Sequence, residues 1–66
     1  MSIAKVIEIT AESNQSFDDA IRQGIQRAGQ TVENVRGAWI RDHEVVLEGG
    51  EITAYRVKMK VTFVLS

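Results

Sequence analysis

Apolar and polar residues alternate most regularly toward the C-terminal end of the chain. Tyr55, Val57, Met59, Val61, Phe63 and Leu65 take turns with Arg56, Lys58, Lys60, Thr62 and Val64. A period of two predicts a strand, here from Ile52 to Leu65, with one apolar face and one largely basic face. A second β-rich stretch, Ile3 to Thr10, is mostly β-branched or apolar with Lys5 and Glu8 interrupting, and predicts the first strand. Between these lies a different rhythm. Phe17, Ala20, Ile21, Gly24, Ile25 and Ala28 follow the three-and-four spacing of one helical stripe, and Asp19, Arg22, Gln23, Gln26 and Arg27 fall opposite.

The punctuation agrees with these elements. Ala11 to Gln15 include Ser13 and Asn14, a turn-like cluster. Ser16 is a good N-cap, and Asp19 three residues on gives a variant of the capping box and a negative charge at the positive end of the helix dipole, so the helix starts at Phe17. Gly29 or a residue shortly after ends it. Ala20, Gly24 and Ala28 run down the middle of the stripe, and Gly24 costs up to ~1 kcal/mol of helix propensity relative to alanine. That cost points to a close approach between helix and sheet. Thr31 to Asn34 lead into a second strand, Val35 to Leu47, and Glu48-Gly49-Gly50-Glu51 is a hairpin turn.

With Gly49 and Gly50 as the two central turn residues, even-numbered residues of the second strand share a face with odd-numbered residues of the third. Ala38 and Ile40 then join Met59 and Val61 beneath the helix. Gly37, Trp39 and Arg41 join Arg56, Lys58 and Lys60 on the face the helix leaves bare. A turn one residue longer would reverse the assignment.

The elements amount to an α+β, βαββ chain: a three-stranded antiparallel sheet packed on one helix, in one domain over residues 1–66. With 66 residues such a domain buries only about 60% of the surface its unfolded chain exposes, and small domains need a staple. The chain has no cysteine and one histidine, His43, so disulfides and thiolate metal sites are excluded and a zinc site would lean on carboxylates. Oligomerisation remains, and the uncovered face of the sheet is the reason to expect it.

Eight basic against nine acidic residues give a formal charge of -1, which argues against a general nucleic-acid binder. No apolar run approaches the ~20 residues that span a bilayer. The start, Met1-Ser2-Ile3-Ala4-Lys5, lacks the pattern of a signal peptide, so a cytoplasmic location is the default.

Catalytic and phosphate-cradling motifs are absent, and the hydroxyls of Thr10, Ser13 and Ser16 are accounted for by turns and caps. His43 reads as an exposed strand residue without a nucleophile at fixed spacing, and no enzyme is expected. Glu44, Glu48 and Glu51 lack the spacing of a calcium loop, and no metal site is assigned. Trp39 fills a subunit interface or forms a stacking platform for a planar ring, two roles that are compatible if the ligand sits between subunits. The basic row is a solvated face, a set of inter-subunit ion pairs with Glu44 or Glu48, or an anion site. Single-stranded nucleic acid on this face is the weaker reading, given one aromatic and no net positive charge.

The strand, the capped helix, the Thr-Val-Glu-Asn-Val junction at Thr31 to Val35 and the Tyr55-Arg56-Val57 to Thr62-Phe63 strand together resemble the dodecin family over essentially the whole chain. The resemblance implies a hollow homo-dodecamer of small βαββ subunits that binds a flavin, FMN or riboflavin, at subunit interfaces for storage or sequestration, without turnover. In flavin-binding members a tryptophan just after the helix-to-strand junction stacks on the isoalloxazine ring, and a glutamine after the aromatic residue of strand three bonds its polar edge. Those positions fall on Gly37 and Arg56 here. Trp39, two residues on, points to the same face, displaced by ~6–7 Å along the strand. Arg56 keeps donors but loses the acceptor of glutamine, which suits a phosphate or carboxylate better. The alternative is a dodecin-type structural assembly that has lost the flavin site and binds another anionic molecule, a metal ion or nothing.

Overall fold

The computed structural model describes residues 3–65; Met1, Ser2 and Ser66 lie outside the described residues. The chain runs β1 (Ala4–Ser13), α1 (Phe17–Thr31), β2 (Val35–Glu48) and β3 (Glu51–Val64). The three strands form one sheet in the order β1-β3-β2. β3 is antiparallel to both neighbours, so β1 and β2 run parallel on the two edges. Parallel strands require a crossover, and α1 supplies it over β3.

β1 extends three residues past Thr10, because the alternation continues. Ile7, Ile9, Ala11 and Ser13 pair with Val61, Met59, Val57 and Tyr55 in unbroken register. The turn cluster therefore shrinks to Asn14 and Gln15. Ser13 is buried, accepts from the Gln15 N–H at 2.9 Å and donates its hydroxyl to Asp19 at 2.6 Å.

Ser16 caps α1 as the sequence predicts, its hydroxyl accepting from the Asp19 N–H at 3.0 Å. The return half of a capping box differs: the Asp19 carboxylate turns to Ser13 and to Gln23, the latter also at 2.6 Å. The helix runs through Gly29 to Thr31, where the Val32 N–H reaches Ala28 O at 3.0 Å. Asn34, at φ 61, then turns the chain into β2, a backbone region asparagine tolerates better than most residues. Its carbonyl accepts from the Val64 N–H at 3.1 Å.

Ala20, Gly24 and Ala28 are the buried helix residues, set over Val57, Met59 and Val61 of the central strand. A Cβ on Gly24 would stand 3.0 Å from both Ala11 Cβ and Met59 Cε, the close approach that the stripe of small residues implies. Phe17, Ile21, Ile25, Ile7, Ile9, Val35 and Ile40 pack around this centre.

Gly49 and Gly50 sit at φ 59 and φ 81 and join Glu48 to Glu51, the two-residue turn with positive φ at both central positions. The hairpin is not regular, however. Thr53 is an extra residue on β3 between the pairs Leu47–Ile52 and Val46–Ala54, and Arg41 is an extra residue on β2 between Asp42–Lys58 and Ile40–Met59. The first shifts the parity and the second restores it. Ala38 and Ile40 thus pair with Val61 and Met59, and Trp39 with Lys60, as the sequence predicts. Between the two bulges the parity is reversed, so His43 pairs with Val57 and Val45 with Tyr55. His43, although exposed, meets Phe17 edge to face at 4.8 Å, and Phe17 meets Tyr55 at 5.1 Å. A third bulge, at Arg36, separates Val35–Phe63 from Gly37–Thr62.

Candidate functional site

On the side away from α1 the strand order decides which side chains meet. Even-numbered residues of β1 stand beside even-numbered residues of β3, giving Glu8–Lys60, Thr10–Lys58 and Glu12–Arg56. From β2 come Trp39 beside Lys60, Asp42 beside Lys58 and Glu44 beside Arg56. The face is a grid whose central strand is basic and whose edge strands carry carboxylates.

Arg56 lies at the centre of one row. Its Nε and Nη2 donate to Glu12 Oε1 at 3.0 and 2.9 Å, and its Nη1 donates to Glu44 Oε1 at 3.2 Å. The hydrogen bond and charge of Glu12 raise the guanidinium pKa above the ordinary arginine value; desolvation opposes them to a lesser degree, and Glu44 adds smaller contributions in the same upward direction. A raised pKa stabilises the fold below the ordinary value and is lost only as pH rises through the higher one. Arg56 therefore stays charged throughout the working range, with its donors committed to two carboxylates.

Trp39 is 67% exposed, with Lys60 Nζ 5.5 Å from its ring centroid. Glu8 forms ion pairs with two cations, Arg41 at 3.6 Å and Lys60 at 3.7 Å, and Arg41 also approaches Asp42 at 3.8 Å. The bulge makes that last contact possible, since it sets Arg41 and Asp42 on the same side of the sheet. Beside Trp39 a Cβ on Gly37 would meet nothing within 4 Å. Farther along the same face a depression of about 200 Å³ is lined by Glu8, Thr10, Arg41, Lys58 and Lys60, among others, with neither Trp39 nor Gly37 in its lining. Ligand cavities are usually 300–1,000 Å³, so one subunit offers a platform rather than an enclosure.

The structure thus brings Gly37, Trp39 and Arg56 onto one face, with Arg56 two rows from Trp39 along β3. Within a single chain the basic row already has carboxylate partners, Glu44 among them. The carboxylates that meet the basic row belong to the same chain, and two of the three, Glu8 and Glu12, come from β1. Glu48 takes no part, since it lies opposite Glu51 at the tip of the hairpin. The alternation of Glu8, Thr10 and Glu12 was the signal for the missed pair, but it acquires meaning only once β1 is known to lie beside β3.

Among the described residues no group of three or more histidine or acidic side chains is placed to hold a metal ion, and no helix is long and apolar enough to cross a membrane. A second hollow, about 580 Å³, runs along the free edge of β1 beneath α1, lined by Ile7, Ile9, Ala11, Gly24, Ala28 and others. Its walls are mainly apolar, unlike those of the open face.

The likeness to known proteins extends over the whole of this architecture. The calcium dodecin of Mycobacterium tuberculosis is 32% identical over 63 residues, 96% of this chain and 89% of its own. Its crystal structure, that of a calcium-chelating antigen with a calcium-binding site, matches with a TM-score of 0.84, covering 94% of this chain and 89% of that one at 31% identity. A dodecin from Streptomyces davaonensis matches with a TM-score of 0.92 and 35% identity over 98% of this chain and 96% of its own. A Thermus thermophilus protein at 20% identity shares the fold, with a TM-score of 0.93 over 100% of this chain and 97% of that one. With the family profile for dodecin matching residues 3–66, and the βαββ order, the strand order and the open face all in place, the chain belongs to the dodecin family.

Proposed function

We propose that this chain is a non-enzymatic binding protein that assembles into a hollow homo-dodecamer and sequesters a flavin, riboflavin or FMN, on the open faces of its sheets. The observation that carries this reading is the exposed ring of Trp39 beside the vacant position at Gly37. An aromatic ring two-thirds exposed on a platform too shallow to enclose a ligand is well suited to stacking, and a second subunit would supply the opposite wall. Gly37, Trp39 and Arg56 are the proposed contact residues, with Trp39 the stacking group and Arg56 bordering the site with its donors already engaged.

The test is a titration of riboflavin and FMN with the purified assembly, reading flavin fluorescence. Quenching that Trp39→Ala removes supports the reading, and Gly37→Trp, which fills open space, should deepen it. Full fluorescence in the presence of excess protein would end it. Light scattering at the mass of a monomer would remove the assembly and with it the second wall.

A second reading is favoured by the Glu12–Arg56–Glu44 clamp and by the likeness to a calcium dodecin. Here the face is structural, and calcium is held by carboxylates gathered from more than one copy. Calcium that raises the melting temperature of the assembly, in a preparation that leaves flavin fluorescence untouched, would favour it.

A further inference from the structure

Around Trp39 the charges are balanced by a particular residue. Lys60, whose Nζ lies 5.5 Å from the ring centroid, and Arg41, two residues along β2 from Trp39, both lean toward Glu8, at 3.7 and 3.6 Å. In the adjacent row Lys58 stands between Thr10 and Asp42, and in the row beyond Arg56 is shared by Glu12 and Glu44. Within these rows four cations face four carboxylates. An anionic group arriving here would displace a carboxylate already covalently tethered at the same place, and would meet its repulsion in doing so.

We infer that Glu8 is a specificity-determining residue that makes the open face a site for an uncharged planar ring and disfavours the phosphorylated form of the same molecule. The inference rests on the flavin reading and narrows it, to riboflavin over FMN. It also withdraws the phosphate or carboxylate that the Arg56 position suggests from sequence, because both sides of that guanidinium are already occupied by carboxylates. A stacked neutral ring needs the face of Trp39 and leaves every ion pair in place. A phosphate drawn to Lys60 or Arg41 competes with Glu8 for them, and Lys58, which makes no ion pair among the described residues, lies one row farther from Trp39 beside Asp42.

The experiment is a parallel titration of riboflavin and FMN into the purified assembly of the unaltered chain and of Glu8→Gln. Fluorescence quenching would be read at low and at moderate salt. For the unaltered chain the expected result is riboflavin bound about tenfold more tightly than FMN, a difference of about 1.4 kcal/mol. Glu8→Gln keeps the size of the side chain, frees Lys60, leaves Arg41 to Asp42 alone, and should move the ratio severalfold toward FMN. That gain should shrink as salt rises, the sign of a charge effect. Circular dichroism and light scattering confirm that the variant is folded and assembled; should it fail to assemble, Glu8→Ala and the unaltered chain's own FMN-to-riboflavin ratio carry the test.

FMN bound as tightly as riboflavin by the unaltered chain would overturn the inference while leaving flavin binding intact, with Arg36 at the bulge beside Gly37 the cation outside the balanced rows. A ratio unmoved by Glu8→Gln would overturn the role of Glu8. No quenching by either flavin would overturn both the inference and the reading beneath it.

Discussion

The two faces of the sheet are made by the same strands and held by different forces. Under the helix, Val57, Met59 and Val61 of β3 are at most 1% exposed, each flanked by apolar partners from β1. On the open side Arg56 and Lys60, each one residue from a buried neighbour, are held by ion pairs whose side chains remain 34–64% exposed, and Lys58 stands between Thr10 and Asp42 with no ion pair among the described residues. Burial removes apolar area from water at ~25 cal/mol per Å², whereas exposed ion pairs contribute little to stability. The covered face supplies the fold, and the open face is free to be specified by whatever docks on it.

Adjacent residues on one strand can therefore break this contrast. Met59→Ala empties the centre of the core and should cost roughly 3 kcal/mol, read by urea unfolding at fixed protein concentration because assembly adds its own stabilisation. Ser16→Ala removes the N-cap and should cost about 1 kcal/mol in the same measurement. Gly24→Ala tests the close approach itself. Helix propensity gains up to ~1 kcal/mol, but the new Cβ meets Ala11 on a paired strand, and overpacking costs ~1–3 kcal/mol. A net loss of roughly 0.5–1 kcal/mol is expected, and a gain would show that the helix can lift. Lys58→Ala, one residue from Met59 but on the open side, should leave stability within ~0.5 kcal/mol. A large loss there would mean that the open face is packed by a neighbouring subunit at Lys58 itself.

Much of this contrast is legible in the sequence, because each face carries a period. The stripe from Phe17 to Ala28 and the alternation from Tyr55 to Leu65 place the helix on Met59 and Val61, and the glycine pair fixes the hairpin well enough to put Trp39 opposite. The end of β1 and the interior of β2 are less legible. Ser13 and Asn14 suggest a turn where only Asn14 and Gln15 make one, since a serine is equally at home as a strand residue reaching for a helix cap. The bulges at Arg41 and Thr53 leave no mark in a pattern of apolar and polar residues, so the placement of His43 against Phe17 is visible only in the fold. The partners of the basic row depend on strand order, which a single sequence does not encode locally. The resemblance that pairs Gly37 and Arg56 with ligand-contacting positions is what suggests the proposed site, and the clamp of Glu12 and Glu44 on Arg56 is visible only in the fold.

The paired bulges carry a consequence for chain length. At a regular position in a strand, losing or gaining one residue sends every later side chain to the opposite face. At Arg41 and at Thr53 the additional residue has no partner across the ladder, so removing either would leave the pairs on both sides as they are. Natural relatives that differ from this chain by a residue in the hairpin should accordingly differ at these two places or at the third bulge, Arg36, and the position of Trp39 should keep its face.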